Sequence, residues 1–248
     1  MSVMMLRMAR SATSTPAAAP RTLAVLTPLG QLRAGRLPRR LVQLYAGLVL
    51  FGVSMALQLR STLGLDPWDV LHSGLARHLG LSFGTVVIIV SFLVLLLWIP
   101  LRQMPGLGTI SNAVVIGLTT NAVLSVLVTP DSAALRWLLL VSGIALNGFA
   151  DALYIGSQLG PGPRDGLMTG LVRRTGRSFR LIRFSIEATV LAAGWLLGGT
   201  VGVGTLIYAV SIGPIVHLLL PRLIVPLPER AGPERALPQP NRAERCSS

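Results

Sequence analysis

Long apolar runs alternate with short polar segments over residues 41–221, and this pattern predicts the architecture. A helix needs about 20 mostly apolar residues to cross the hydrocarbon core of a bilayer. We therefore predict an all-α membrane helix bundle with six transmembrane helices, at residues 41–59, 83–100, 107–128, 136–157, 180–199 and 203–221. The flanking segments 1–40 and 222–248 are rich in Pro, Ala and Arg, and we expect both to be disordered tails.

The composition supports a membrane protein and argues against a nucleic-acid-binding domain. Only 12% of the 248 residues are charged, about half of what a soluble domain carries. The net charge of +13 comes from 22 basic residues, all of them arginine. No basic stretch is interleaved with aromatic residues on a soluble element, as nucleic-acid recognition requires. We expect the lipid bilayer, and no nucleic acid, as the partner.

The distribution of arginine predicts the orientation in the membrane. If the N-terminus is cytoplasmic, 19 arginines lie on the cytoplasmic side and only Arg60, Arg77 and Arg136 lie outside. Cytoplasmic loops of membrane proteins carry the excess of positive charge. We therefore expect a protein of the cytoplasmic membrane with both termini inside.

The two halves of the predicted membrane domain repeat each other. Residues 41–120 align without a gap with residues 137–216, at a constant offset of 96 and with 28 identities in 80 positions. Each half (about 41–128 and 137–221) contains three predicted spans. Because three is an odd number, the second half enters the membrane from the opposite side, so we expect an inverted repeat.

A Pro-x-Asp segment after the first span of each half is the most specific part of the repeat. Pro67 and Pro163 fit the first position of a short helix, and Asp69 and Asp165 fall in its first turn. Each short helix is either amphipathic and interfacial or re-entrant. The aspartates are either caps that accept from free backbone N–H groups, or parts of a solute site where two half-helices meet.

Other positions in and near this segment have both structural and functional interpretations. Trp68 is typical of an interfacial aromatic anchor, and its repeat counterpart is Arg164, so the two halves differ here. Repeated glycines indicate close packing between helices. They are Gly74 and Gly170 within the segments, and Gly106, Gly108, Gly202 and Gly204 in the two Gly-x-Gly-Thr motifs.

Two acidic residues lie within predicted spans, where a carboxylate costs about 2.5–3.5 kcal/mol and normally has a partner. Arg183 and Glu187 are four residues apart and can form an ion pair on one helix face. Asn147 precedes Asp151 by one turn, but the sequence indicates no charged partner for Asp151. Each acid is either part of a structural pair or part of a site.

The sequence lacks the motifs that are typical of phosphate-binding, metal-binding and nucleophilic sites. A phosphate-binding loop needs a lysine after its glycines, and the chain has none. The three histidines show no metal-ligand spacing, and no nucleophile elbow can be identified. We therefore expect no cofactor, no metal and no enzymatic activity.

The order of these motifs resembles the YczE/YyaS/YitT-type family of bacterial integral membrane proteins. The resemblance covers about residues 41–221 and rests on Pro67, Trp68, Asp69, Pro163, Arg164, Asp165, Arg183 and Glu187. It implies a multi-pass membrane protein without an assigned substrate. From the residues we expect a small-solute transporter, or alternatively a non-transporting factor that helps regulate or assemble another system. A homodimer is compatible with so small a bundle.

Overall fold

A computed structural model describes Leu23 and residues 26–228, and this part of the chain is all helical. Its nine helices are α1 (Pro28–Arg33), α2 (Leu37–Ser61), α3 (Pro67–Leu79), α4 (Phe83–Leu101), α5 (Leu107–Val126), α6 (Ala133–Gly156), α7 (Pro163–Thr175), α8 (Phe179–Leu196) and α9 (Val203–Leu223). The prediction of an all-α fold is therefore confirmed for the described residues.

Five helices in the described region are long and apolar enough to cross a membrane, namely α2, α4, α5, α6 and α9. The sequence predicted a sixth span at 180–199. The corresponding helix α8 has only 18 residues and contains Arg180, Arg183 and Glu187. Because α8 is so short, no 18-residue stretch of it avoids these three charges, whereas the longer α2 has such a stretch between its arginines.

The short helices form at the predicted segments because their ends contain strong local signals. Asp66 is the N-cap of α3, and its side chain accepts a hydrogen bond from the Asp69 backbone N–H at 2.8 Å. Proline follows the N-cap in both α3 and α7. Gly80 and Gly176 end the two helices in the left-handed conformation that glycine adopts without strain.

The order of elements in α2–α5 is repeated in α6–α9. The helices α7, α8 and α9 begin 96 residues after α3, α4 and α5 respectively, which matches the sequence alignment. The first long helices of the two halves, α2 and α6, pack along each other at the centre. Gly47 lies against the backbone of Ala150 and Tyr154, and its counterpart Gly143 lies against Leu57 and Gln58.

The outer helices surround this central pair in related positions, with one difference. The helix α5 packs on α2 and α9 packs on α6, while α3 packs on α8 and α7 packs on α4. In the first half α4 also packs along α5. The equivalent helices α8 and α9 make no such extended contact. The second half is therefore open between two helices that are closed together in the first.

Parts of the predicted tails are ordered. The structure contains α1 within the predicted N-terminal tail, and α2 begins at Leu37 rather than at 41. Arg40 is fully buried and donates hydrogen bonds of 2.7 and 2.6 Å to the carbonyl oxygens of Ser157 and Gln158, at the end of α6. On the C-terminal side Val225 is buried as well. Residues 1–22, 24–25 and 229–248 of the two tails lie outside the described residues.

Candidate functional site

The N-termini of the two short helices meet near the centre of the molecule. The Asp66 carboxylate, which caps α3, lies 3.5 Å from a guanidinium nitrogen of Arg164 in the first turn of α7. The Arg164 guanidinium also lies over the Phe51 ring, 5.3 Å from its centroid. One ion pair thus connects the beginnings of the equivalent helices. Asp66 is not among the candidate site residues that the sequence predicted.

Of the two interpretations of Asp69 and Asp165, the structure does not support the capping one, because neither side chain accepts from a backbone N–H of the described residues. The Asp69 carboxylate lies 3.0 Å from Nδ1 of His72, one turn further along α3. The Asp165 carboxylate accepts a hydrogen bond of 2.5 Å from the Tyr154 hydroxyl on α6. The side chain that accepts from a free backbone N–H at the start of α3 is that of Asp66. The N-cap of α7 is Gly162, which has no side chain that could cap the helix.

The environment of Asp69 disfavours its charged form. Burial raises the pKa of Asp69 to about 6, and the neighbouring Asp66 adds to the increase, while His72 and Arg164 oppose it. Asp69 belongs to the short helix α3, outside the five candidate spans. Its pKa therefore lies above that of an exposed aspartate.

Trp68 is not an interfacial anchor. Its side chain is only 7% exposed and packs with Val86, Val90 and Leu167 of helices α4 and α7. Its indole Nε1 is buried and has no hydrogen-bond partner in the described structure. A buried donor of this kind is rare in folded proteins, because leaving it unsatisfied costs about 1–3 kcal/mol. The interpretation of Trp68 as part of a site stays open.

A cavity of about 290 Å³ lies between α6, α7, α8 and α9 and reaches the beginning of α3. It includes the opening between α8 and α9, where the two helices do not pack. Its charged lining consists of Asp66, Asp151, Arg164, Asp165, Arg183 and Glu187. Its aromatic lining consists of Trp68, Tyr154, Phe179, Tyr208 and His217. The cavity therefore contains the predicted candidates with the exception of Asp69.

Asp69 lines a second, smaller cavity of about 50 Å³ that shares Trp68, Tyr154 and Arg164 with the first. The two cavities occupy equivalent places in the two halves, because many of their residues are 96 positions apart. Where the larger cavity has Asp151, Arg183, Glu187 and Tyr208, the smaller has Met55, Val87, Ser91 and Asn112. The charged residues Asp151, Arg183 and Glu187 of the second half thus have uncharged counterparts in the first half.

The acids predicted within spans have different surroundings in this cavity. Arg183 and Glu187 form the expected ion pair, with 2.8 Å between Nε and Oε1. Asp151 forms no hydrogen bond or ion pair with any described residue. Asn147, one turn earlier, instead donates to Ser54 and accepts from Tyr208. Asp151 therefore faces the cavity as a carboxyl group without a direct partner.

The glycines of the repeated motifs lie against loops of the opposite half. The N–H of Gly108 donates to the carbonyl oxygen of Leu159, and that of Gly204 donates to the carbonyl oxygen of Leu63, both at 2.8 Å. Within the short helices, Gly74 approaches Leu197 and Gly170 approaches Gln103. The loops that carry Asp66 and Gly162 into the centre are held in this way by the starts of α9 and α5.

Sequence reasoning missed Tyr154 and Tyr208, which line the cavity beside the charged groups. A usable signal was present, because the chain has only three tyrosines and these two lie inside apolar helices. Within the described residues, no group of three His, Cys, Asp or Glu side chains could hold a metal ion.

The following relatives of this chain are uncharacterized proteins, and one of them is named a membrane protein. It is 40% identical to an uncharacterized protein of Haemophilus influenzae over 181 residues, which are 73% of this chain and 83% of the relative. It is 34% identical to the uncharacterized membrane protein YczE of Bacillus subtilis over 186 residues, covering 73% of this chain and 85% of the relative. It is 25% identical to YyaS of the same organism over 179 residues, 71% and 89% of the two chains. No solved structure matches.

These similarities confirm the resemblance to YczE-type proteins and place the chain in the membrane. The sequence profile of DUF6198, a family of unknown function, matches residues 38–221, which include the helices that form the site except for the last two residues of α9. The chain therefore belongs to the DUF6198 family.

Proposed function

We propose that this protein is a small-solute secondary transporter or permease of the cytoplasmic membrane, and that its solute binds in the cavity between α6, α7, α8 and α9. The observation that carries the proposal is the polar character of this cavity. Six charged side chains line it inside an otherwise apolar bundle. Ionisable groups within a membrane domain are expensive and typically mark a solute or ion pathway.

The proposal includes an inverted arrangement of the two halves, with α8 as a sixth span. Two contacts support the inversion. A guanidinium nitrogen of Arg77, near the end of α3, donates to the carbonyl oxygen of Gly198 just after α8. A guanidinium nitrogen of Arg174, near the end of α7, donates to the carbonyl oxygen of Pro100, near the end of α4. The short helices therefore point away from their meeting place toward the ends of different long helices.

The meeting of two helix N-termini at the cavity also supports transport. In repeat-built transporters the solute binds where discontinuous helices begin, close to the axis that relates the repeats. Here Asp66 and Arg164 occupy those positions and both line the cavity. The opening between α8 and α9 would give the solute access from one side.

A transport assay tests the proposal. The full chain would be reconstituted into liposomes after thermal-shift screening of the detergent-purified protein against a metabolite library, and uptake of each stabilising solute would be measured. We expect D151N and E187Q to abolish uptake while the melting temperature shows a folded protein. D131N is the matched control, because Asp131 is exposed in the loop between α5 and α6.

Uptake that is unchanged in both D151N and E187Q would refute the assignment of these acids. If no solute is taken up and a second membrane or biosynthetic protein co-purifies with the chain, the alternative of a non-transporting factor would be favoured.

A further inference from the structure

The charges that line the larger cavity do not balance. The carboxylates of Asp66, Asp151, Asp165 and Glu187 face only two guanidinium groups, those of Arg164 and Arg183. The N-termini of α3 and α7 add roughly half a positive charge each. The cavity therefore retains an excess of about one negative charge when its acids are ionised.

This excess can be assigned to Asp151. Asp66 pairs with Arg164, Glu187 pairs with Arg183, and Asp165 accepts from Tyr154. Asp151 has no comparable contact with a described residue, although it lines the same cavity. A carboxylate in such a place favours a cationic partner, because a charge withdrawn from water is stabilised by pairing.

An independent observation indicates a second feature of the ligand. The indole N–H of Trp68 is a buried donor without a partner among the described residues, and Trp68, which is 93% buried, lines both the larger and the smaller cavity. Indole can only donate, so a ligand that satisfies it must offer a hydrogen-bond acceptor. The cavity also presents the rings of Tyr154, Tyr208 and Phe179. Aromatic faces attract cations, most strongly where water is excluded.

We propose that the ligand of this cavity is a small organic cation of the ammonium type that also bears a hydroxyl or similar acceptor. Its ammonium group pairs with Asp151, and its acceptor receives the Trp68 N–H. The volume of about 290 Å³ suits a metabolite smaller than a typical drug. The inference deepens the proposed transport function and relies on it for its physiological meaning, but binding can be measured separately.

Choline and ethanolamine are suitable probes, because each combines an ammonium group with a hydroxyl. The neutral carbon analogue of choline, 3,3-dimethyl-1-butanol, has nearly the same shape without the charge. Binding to the purified full chain would be measured by titration calorimetry. We expect saturable binding of choline or ethanolamine, and binding of 3,3-dimethyl-1-butanol that is weaker by about tenfold or more.

Two variants test the proposed contacts of the ligand with Asp151 and with Trp68 separately. We expect D151N to weaken binding of the cation by about tenfold or more, and the exposed control D131N to leave it unchanged. W68F removes the indole N–H and keeps an aromatic ring. It should reduce the preference for choline over tetramethylammonium, which lacks the hydroxyl.

The inference is overturned if neither cation binds, if the neutral analogue binds equally well, or if D151N binds the cation like the natural protein. Cation binding without uptake into liposomes would retain the inference and refute transport. Uptake of a neutral or anionic solute, with no binding of either cation, would retain transport and refute the inference.

Discussion

Asp66 has two interactions that substitutions can separate. Its carboxylate caps α3 through the Asp69 N–H and pairs with Arg164. Asparagine caps a helix about as well as aspartate, so D66N should lose the ion pair and keep the cap. D66A should lose both and be less stable than D66N by about 1 kcal/mol. Thermal unfolding in detergent measures the difference, and equal melting temperatures for D66N and D66A would contradict the capping role.

The raised pKa of Asp69 predicts how the contribution of this single residue to stability changes with pH. Its pKa is about 6 in the folded protein and about 3.9 in an unfolded chain. Because the folded value is higher, the group stabilises the fold fully below about pH 4, and this contribution is lost as the pH rises through 6. We expect the melting temperature of the natural protein, relative to D69N, to be higher at pH 5 than at pH 8.

The exposed variant D131N is the control for this measurement, and its difference from the natural protein should be the same at both pH values. A constant difference between the natural protein and D69N would show that Asp69 does not titrate in this range.

Sequence reasoning at the residue scale succeeded where the interaction is local in the chain. The pair of Arg183 and Glu187 follows from helical spacing, and the structure contains it. Contacts between distant segments had no such signal. Asp165 meets Tyr154 across two helices, and Trp68 is buried by α4 and α7 rather than exposed to the interface. Those outcomes depend on how the helices pack, which the spacing of residues does not specify.

Among the helices, α9 provides a matched test of close packing. A Cβ on Gly204 would lie 2.8 Å from the carbonyl oxygen of Gly64 in the opposite half, whereas a Cβ on Gly213 would meet nothing within 4 Å. We expect G204A to destabilise the protein by about 1–3 kcal/mol, because the loop must move. G213A should be neutral or slightly stabilising, since alanine is the better helix former.

The comparison is made by thermal unfolding of both variants in the same detergent. Equal stability of G204A and G213A would contradict the close approach of α9 to the loop before α3.

The starts of α3, α4 and α5 and of their counterparts could be predicted, because prolines, serines and glycines mark them locally. The gap between α8 and α9 could not be predicted from the repeat, which suggests the same packing as between α4 and α5. A physical reason lies in the substitutions between the halves. Val87 and Ser91 of α4 correspond to Arg183 and Glu187 of α8. Charged side chains of this kind do not pack dry against an apolar helix, so they line a cavity instead.

For the whole molecule, the decisive question is whether the two halves are inverted relative to each other in the membrane. Arg77 and Arg173 are equivalent exposed residues near the ends of α3 and α7. Their neighbourhoods differ, because Arg77 contacts Gly198 after α8 while Arg174 contacts Pro100 near the end of α4. If α4 and α8 each cross the bilayer, these two places lie on opposite sides.

Cysteine labelling measures this directly. The natural chain has one cysteine, Cys246, so R77C and R173C would each be made in a C246S background. An impermeant maleimide should label R77C in intact spheroplasts and R173C only in inside-out vesicles, since the arginine distribution predicts that the second short helix lies on the cytoplasmic side. Full labelling of both variants after permeabilisation is the control. If both sites react from the same side, the two halves are not inverted, and the inverted arrangement in the proposed function is refuted.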